Sequence, residues 1–370
     1  MQALADIPTP ALLLDEERCR RNIARLNEHV HALGAVMRPH LKTCKNLEIA
    51  RWCMEHPQGP ATVSTLAEAE YFAAGGVRDI CYAVGMAPDK LPRAAAIRAD
   101  GTDLILTLDS MEAARALLAF ARSHSLTFAV MLETDCDGHR AGVAPDDPLL
   151  VILARMLRDG GQDVRGVLTH AGSAYDGGSP GDLANLAEKE RAAAVAAAAM
   201  LRDAGIPCPV VSVGSTPTAR FCRSLEGVTE VRAGTHVFHD LVMRRLGVCE
   251  PDDMALSILA TVIGRRADGG LLLDAGWTAL SRDQGGPGGF AEHGYGLVCD
   301  LDGHPYPGLC VRDLNQEHGL ACGPYPPPLP VGSRVRILPV HACATAACFD
   351  DYQLLRGGRP VGTLSRCRGW

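Results

Sequence analysis

The sequence predicts a (β/α)8 barrel of the TIM type followed by a C-terminal domain of β-strands, on three observations. Eight short apolar runs between residues 36 and 238 are separated by stretches with helical spacing of apolar residues, which is the alternation of a closed parallel barrel. No G-x-G-x-x-G turn follows an early strand, so the doubly wound alternative lacks its signature. After about residue 250, helical periodicity gives way to short strand-like runs divided by Gly and Pro.

The elements follow in order. "EERCRRNIARLNEHVHAL" (16–33) sets Ile23, Leu26, Val30 and Leu33 on one helical face. The barrel strands are then "VMRPH", "ATVSTL", "DICYAVG", "DLILTLD", "FAVMLETD", "VRGVLTHAG", "PVVSVG" and "EVRAGTHVF". Helical patterns lie between them, among them "SMEAARALLAFARSH" with Ser110 as N-cap and "AEAEYFAAGG", closed by glycines. Beyond the barrel, "MALSILATVIGRR", "GLLLDAG", "GYGLVCD", "SRVRILPVHAC" and "DYQLLRGG" read as strands. "DQGGPGGFAEHG" and "GPYPPPLPVG" read as loops. The expected organisation is a strand over 1–15 that joins the β domain, a barrel over 16–248 and a β domain over 249–370.

Composition narrows the function. A chain of 370 residues with 47% hydrophobic and 21% charged residues has ample material for a globular core. A net charge of −7 argues against a nucleic-acid binder, which needs a concentrated basic face. Neither a secretory signal nor a membrane span is expected. The fourteen cysteines include no C-x-x-C pair and read as reduced thiols of a cytoplasmic protein.

Chemistry in such barrels sits at the C-terminal ends of the strands. That rule selects Lys42, Asp109, Arg140, His170, Tyr175, the Gly214-Ser215-Thr216 turn and Gly234-Thr235. Singly, each has a plain explanation: a surface lysine, a hydrogen-bonded core histidine, glycines in turns. Jointly they place an amine opposite a glycine-rich anion site after strands seven and eight. Pyridoxal phosphate needs both, an amine for its aldehyde and a cradle for its phosphate.

The segments "RPHLKT", "DGHRAG", "LTHAGSAY", "VSVGSTPT", "EVRAGTHVFHD", "LDAGW", "NQEHG" and "LPVHACAT", in this order, resemble the D-serine dehydratase-like family. This is the branch of alanine-racemase-fold pyridoxal enzymes that also contains D-threonine aldolases. The resemblance implies that Lys42 bonds the cofactor and that Gly214, Ser215, Thr216, Gly234 and Thr235 hold its phosphate. It further implies that Arg140 lies near the phenolic oxygen and that His170 and Tyr175 contact the ring. Relatives often carry a tyrosine where Thr235 and His236 stand, so those phosphate contacts depart from the pattern.

"HAC" offers His341 and Cys343 as metal ligands; read as a strand, residues two apart project to one face. Nitrogen plus sulfur suits zinc, with manganese or another divalent ion as alternative. The implied reaction is dehydration of a small D-3-hydroxy amino acid to a 2-oxo acid and ammonia by a homodimer. An aldolase would instead break the Cα–Cβ bond, a racemase would not need His341 and Cys343, and a non-catalytic pyridoxal-phosphate carrier would not need residues 250–370. Arg282 is a candidate second cation for a carboxylate-bearing substrate.

Overall fold

The computed structural model describes residues 3–285, 293–324 and 327–370. The two loops expected at 283–294 and 323–332 therefore fall partly outside the described residues. The chain forms two compact units: Met1–Ala24 with Tyr175–Gly177 and Thr235–Arg366, and Arg25–Ala174 with Gly178–Gly234 and Cys367–Trp370. Strand β1 (Ala11–Asp15) belongs to the first.

The second unit is the barrel. Its strands are β2 (Val36–Met37), β3 (Ala61–Val63), β4 (Asp79–Gly85), β5 (Asp103–Leu108), β6 (Ala129–Thr134), β7 (Asp163–Thr169), β8 (Val210–Val213) and β9 (Glu230–Val231). They run in the order β2-β9-β8-β7-β6-β5-β4-β3 with parallel pairing throughout. A parallel bridge between His40 and Thr62 joins the two ends. The eight strands match the count read from the sequence, and several of the helices between them start at a polar side chain that caps them. Ser110 accepts the Ala113 N–H as expected, Asn46 and Thr65 cap the helices Leu47–Cys53 and Leu66–Ala74, and Ser179 caps Pro180–Asp203. Cys81, Ile105, Ala129, Met131 and Leu168 form an apolar cluster across four of the strands.

Beside that cluster lies a charged one. Arg38, just past β2, donates from Nε to Glu230 Oε2 at 2.7 Å and from Nη1 to Asp79 Oδ1 at 2.6 Å. Glu230 Oε1 accepts the Ser212 hydroxyl at 2.7 Å. Arg38 and Glu230 are both buried. Burial opposes the charge on Arg38, but Glu230 and Asp79 outweigh it and raise its pKa. One guanidinium thus bonds β9 and β4, the strands that flank the β2–β3 closure.

The first unit is built on a nine-stranded sheet. Its further strands are β10 (Leu256–Arg265), β11 (Leu271–Leu273), β12 (Gly296–Cys299), β13 (Pro305–Leu314), β14 (Gly319–Cys322), β15 (Arg334–Pro339), β16 (Asp351–Arg356) and β17 (Arg359–Ser365). The order is β11-β14-β13-β12-β15-β10-β1-β16-β17. β1 pairs antiparallel with β10 and parallel with β16, and Ile7, Ala11, Leu13, Leu259 and Leu355 cluster around it.

One expectation is corrected. His341 and Cys343 do not lie on a strand: β15 ends at Pro339, His341 is the N-cap of a short helix Ala342–Ala346, and Cys343 sits in its first turn. Buried Asp240 accepts the Ala342 N–H at 2.8 Å and anchors the helix start, and "ACATA" is rich in the best helix former.

Replacing Arg38 with Met should lower folding stability by about 3–5 kcal/mol, because Glu230 would stay buried without its partner. Chemical denaturation measures it, and an unchanged midpoint would mean that closure does not depend on this pair.

Candidate active site

The chain contains four lysines. Lys45 is paired with buried Glu68 at 3.1 Å, Lys90 lies 3.4 Å from the Tyr82 hydroxyl, and Lys189 is on an exposed helix face. Lys42 lies in the turn two residues beyond His40, whose bridge to Thr62 joins the ends of the strand order, and is exposed.

His170 follows β7, and its Nδ1 donates to the Gly214 carbonyl at 2.9 Å. That bond puts the ring proton on Nδ1 and makes Nε2 the acceptor nitrogen of the neutral ring. Burial drives its pKa down to about 3, against the pull of the Gly214 carbonyl; Arg140, Lys42 and Arg232 add to the depression. His40 is depressed well below its ordinary value by burial first and then by the charges of Lys42 and Arg232, with His170 and Arg140 also contributing. Lys42, Arg140, His170 and Gly214 therefore share one neighbourhood.

Arg232 and His40 belong to the same neighbourhood, and neither is singled out by the sequence. Arg232 is buried yet donates to neutral acceptors, the Ser212 hydroxyl and the Thr169 carbonyl. Arg140 is half exposed and lies 3.4 Å from Glu133. Burial pushes the Glu133 carboxyl up, although Arg140 and Arg232 oppose the shift.

The glycine turn is fixed from behind. Gly214 has φ +136°, and a Cβ there would fall 2.3 Å from the Arg232 carbonyl. Buried Glu190 accepts the N–H groups of Gly214 at 3.1 Å and Ala171 at 2.8 Å. Ser215 caps the helix Thr216–Phe221, and its own N–H donates to Thr218. The Gly214 and Ser215 N–H groups are thus engaged within the protein, so an anion would meet the first turn of that helix and the hydroxyls of Ser215 and Thr216. At Gly234 a Cβ would lie 2.8 Å from both the His40 carbonyl and the Thr43 hydroxyl, which excludes any larger residue. Three cations, a primary amine among them, around a neutral imidazole and a hydroxyl-bearing turn fit a phosphorylated aldehyde such as pyridoxal phosphate.

The remaining candidates lie on the sheet unit. The Tyr175 carbonyl accepts from Arg245 at 2.9 Å, and the Thr235 hydroxyl lies 4.0 Å from the Cys343 sulfur. Cys343 is one of four cysteines not fully buried; none of the fourteen is bridged. The His341 ring contacts Asp283 through Nδ1 at 2.8 Å and is also hydrogen-bonded to Cys343. Burial opposes its charging, but these two partners outweigh that and push its pKa up to about 11. An imidazole and a thiol in contact form a donor pair suited to a borderline-soft dication. Asp283 was missed because it lies 58 residues from His341 in the chain. Arg282 stands 5.7 Å over the Trp277 ring and 3.4 Å from the Leu314 carbonyl. No helix among the described residues is long and apolar enough to cross a membrane.

Residues 14–242 match the family described as the alanine racemase N-terminal domain, and residues 255–355 the putative serine dehydratase domain. The chain is 51% identical over 376 residues to D-threo-3-hydroxyaspartate dehydratase of Delftia sp. (strain HT23), covering 99% of each. It is 29% identical to D-serine dehydratase of Dictyostelium discoideum, over 96% of this chain and 95% of that one. A solved structure of D-threo-3-hydroxyaspartate dehydratase, a cysteine-to-alanine mutant in the metal-free form, superposes with a TM-score of 0.97 at 50% identity and full coverage of both chains.

His170 should remain neutral from pH 8 down to pH 5, about 1.5 units below the ordinary histidine pKa of about 6.5. The unfolded chain takes up a proton there and the folded one does not, so this residue's contribution to stability is present above about 6.5 and is lost as pH falls toward its folded value. Imidazole NMR titration, assigned with His170→Gln, checks it; a midpoint near 6.5 would contradict the site's electrostatics.

Proposed function

Because this chain belongs to the D-serine dehydratase-like family of alanine-racemase-fold enzymes, we propose that it is a lyase that dehydrates a D-3-hydroxy amino acid to a 2-oxo acid and ammonia. D-threo-3-hydroxyaspartate is the first substrate to try, given the 51% identity over the whole chain to an enzyme named for it. The observation that carries the dehydratase reading is the contact between the His341 ring and Cys343. A racemase has no use for such a donor pair, while expulsion of hydroxide does.

Pyridoxal phosphate is implied by the fold family, and when bound it supplies the electron sink for a carbanion at Cα. A metal, zinc by the nitrogen and sulfur donors, supplies a Lewis acid for the leaving hydroxyl. The protein's own residues do the rest. Lys42 would hold the cofactor through its side-chain amine and, when free, would take the α-proton of the substrate. Gly214, Ser215, Thr216, Gly234 and Thr235 would line the phosphate, with Gly214 and Gly234 allowing the close approach of Arg232 and His40 that shapes the turns. Arg140 would lie near the phenolic oxygen. The neutral His170 ring and Tyr175 would contact the cofactor ring. His341 and Cys343 would hold the metal. The α-proton and the β-hydroxyl leave as water, and the resulting enamine hydrolyses to oxo acid and ammonia.

A homodimer follows from the family resemblance, and the unbridged cysteines suit a cytoplasmic setting. The relative whose cysteine mutant is metal-free supports Cys343 as a ligand.

Incubation with D-threo-3-hydroxyaspartate, D-serine and D-threonine tests the reading. It predicts ammonia and oxo acid in equal amounts, without glycine or aldehyde. Lys42→Ala should reduce the rate by about 10²–10⁴-fold or more, and chelation should halt ammonia release while the cofactor stays bound. Glycine and aldehyde as products would make the protein an aldolase, and full activity after chelation would remove the metal from the reaction.

A further inference from the structure

The two nitrogens of His341 are not equivalent. Its Nδ1 lies 2.8 Å from Asp283 Oδ2. The other carboxylate oxygen, Oδ1, accepts the Gly285 N–H at 2.7 Å, and the Asp283 N–H donates to the Ser281 hydroxyl at 3.1 Å. The carboxylate is therefore held by its own loop, with one oxygen tied back to the main chain and the other turned toward the imidazole. A metal-bound imidazole carries one ring proton, and a carboxylate at Nδ1 fixes it there, so that Nε2 supplies the lone pair a metal requires.

We propose that Asp283 is a positioning residue for the metal: it holds His341 in the Nδ1–H tautomer and ring orientation that direct Nε2, together with the Cys343 thiolate, to one divalent cation. This rests on the reading of His341 and Cys343 as the metal pair. Charge supports it as well. One thiolate and one carboxylate carry two negative charges against the two positive charges of the ion. Asp283 also raises the basicity of the imidazole it bonds, which strengthens the metal bond. The Asp283 side chain is 43% exposed, so replacing it leaves no buried hole.

The test titrates zinc into the purified full-length protein against a chromophoric chelator, which reads metal affinity without turnover. Asp283→Ala should weaken zinc binding by about 10- to 100-fold. Asp283→Asn, which keeps an acceptor for the Nδ1 proton but not the charge, should fall between Asp283→Ala and the wild type. The metal-free melting temperature of both should match that of the wild type, which separates positioning from loss of fold. In the cobalt-substituted protein the thiolate charge-transfer band should persist in Asp283→Ala while the d–d bands move. Wild-type zinc affinity in Asp283→Ala, with affinity lost in His341→Ala, overturns this inference and leaves the metal pair standing. Wild-type affinity in His341→Ala overturns the metal pair itself.

Discussion

The barrel depends on one buried charge. Arg38 reaches Glu230 on β9 and Asp79 on β4 from its place just beyond β2, across the seam where the strand order closes. A buried guanidinium is tolerated only when its partners are fixed, so the two carboxylates and the seam position one another. The consequences run along β8 and β9. Glu230 takes the hydroxyl of Ser212, and Ser212 in turn receives Arg232. Among the described residues the hydrogen bonds of Arg232 go to neutral acceptors, and its charge adds to the depression that burial imposes on His40 and His170.

Buried carboxylates play the matching part for the loops. Glu190 ties the chain after β7 to the chain after β8 by accepting the Ala171 and Gly214 N–H groups. Burial raises its pKa, against those hydrogen bonds. On the sheet unit Asp240 starts the helix that carries Cys343 through the Ala342 N–H, and Asp283 meets His341. In each case a carboxylate distant in the chain bonds the main chain or side chain beside a candidate site residue.

Much of this can be read in the sequence, wherever the signal is local. Eight apolar runs and a serine before an apolar helix are local patterns, and both the barrel count and the Ser110 cap follow from them. The sheet unit was harder. β13, which begins "PYPG", is not among the strands read from the sequence; it pairs with β12 and β14 on either side. "HAC" continues an apolar strand, yet Asp240, a hundred residues earlier, ends that strand and begins a helix. Arg232, Glu190 and Asp283 were not identified because their partners are distant in the chain, and no window of residues displays such a pair. The rim candidates are legible because the barrel rule converts strand ends into positions in space.

The central claim is that Lys42, among four lysines, is the one that bonds the cofactor. Two of the other three have neighbours of their own, Glu68 for Lys45 and Tyr82 for Lys90, and Lys189 lies on an exposed helix face. Borohydride reduction of the pyridoxal-phosphate-loaded protein, followed by peptide mapping, reads the attachment directly. The account predicts the phosphopyridoxyl mass on the peptide containing Lys42 and on no other. The same mass on a peptide carrying only Lys45, Lys90 or Lys189, or on none, would contradict it.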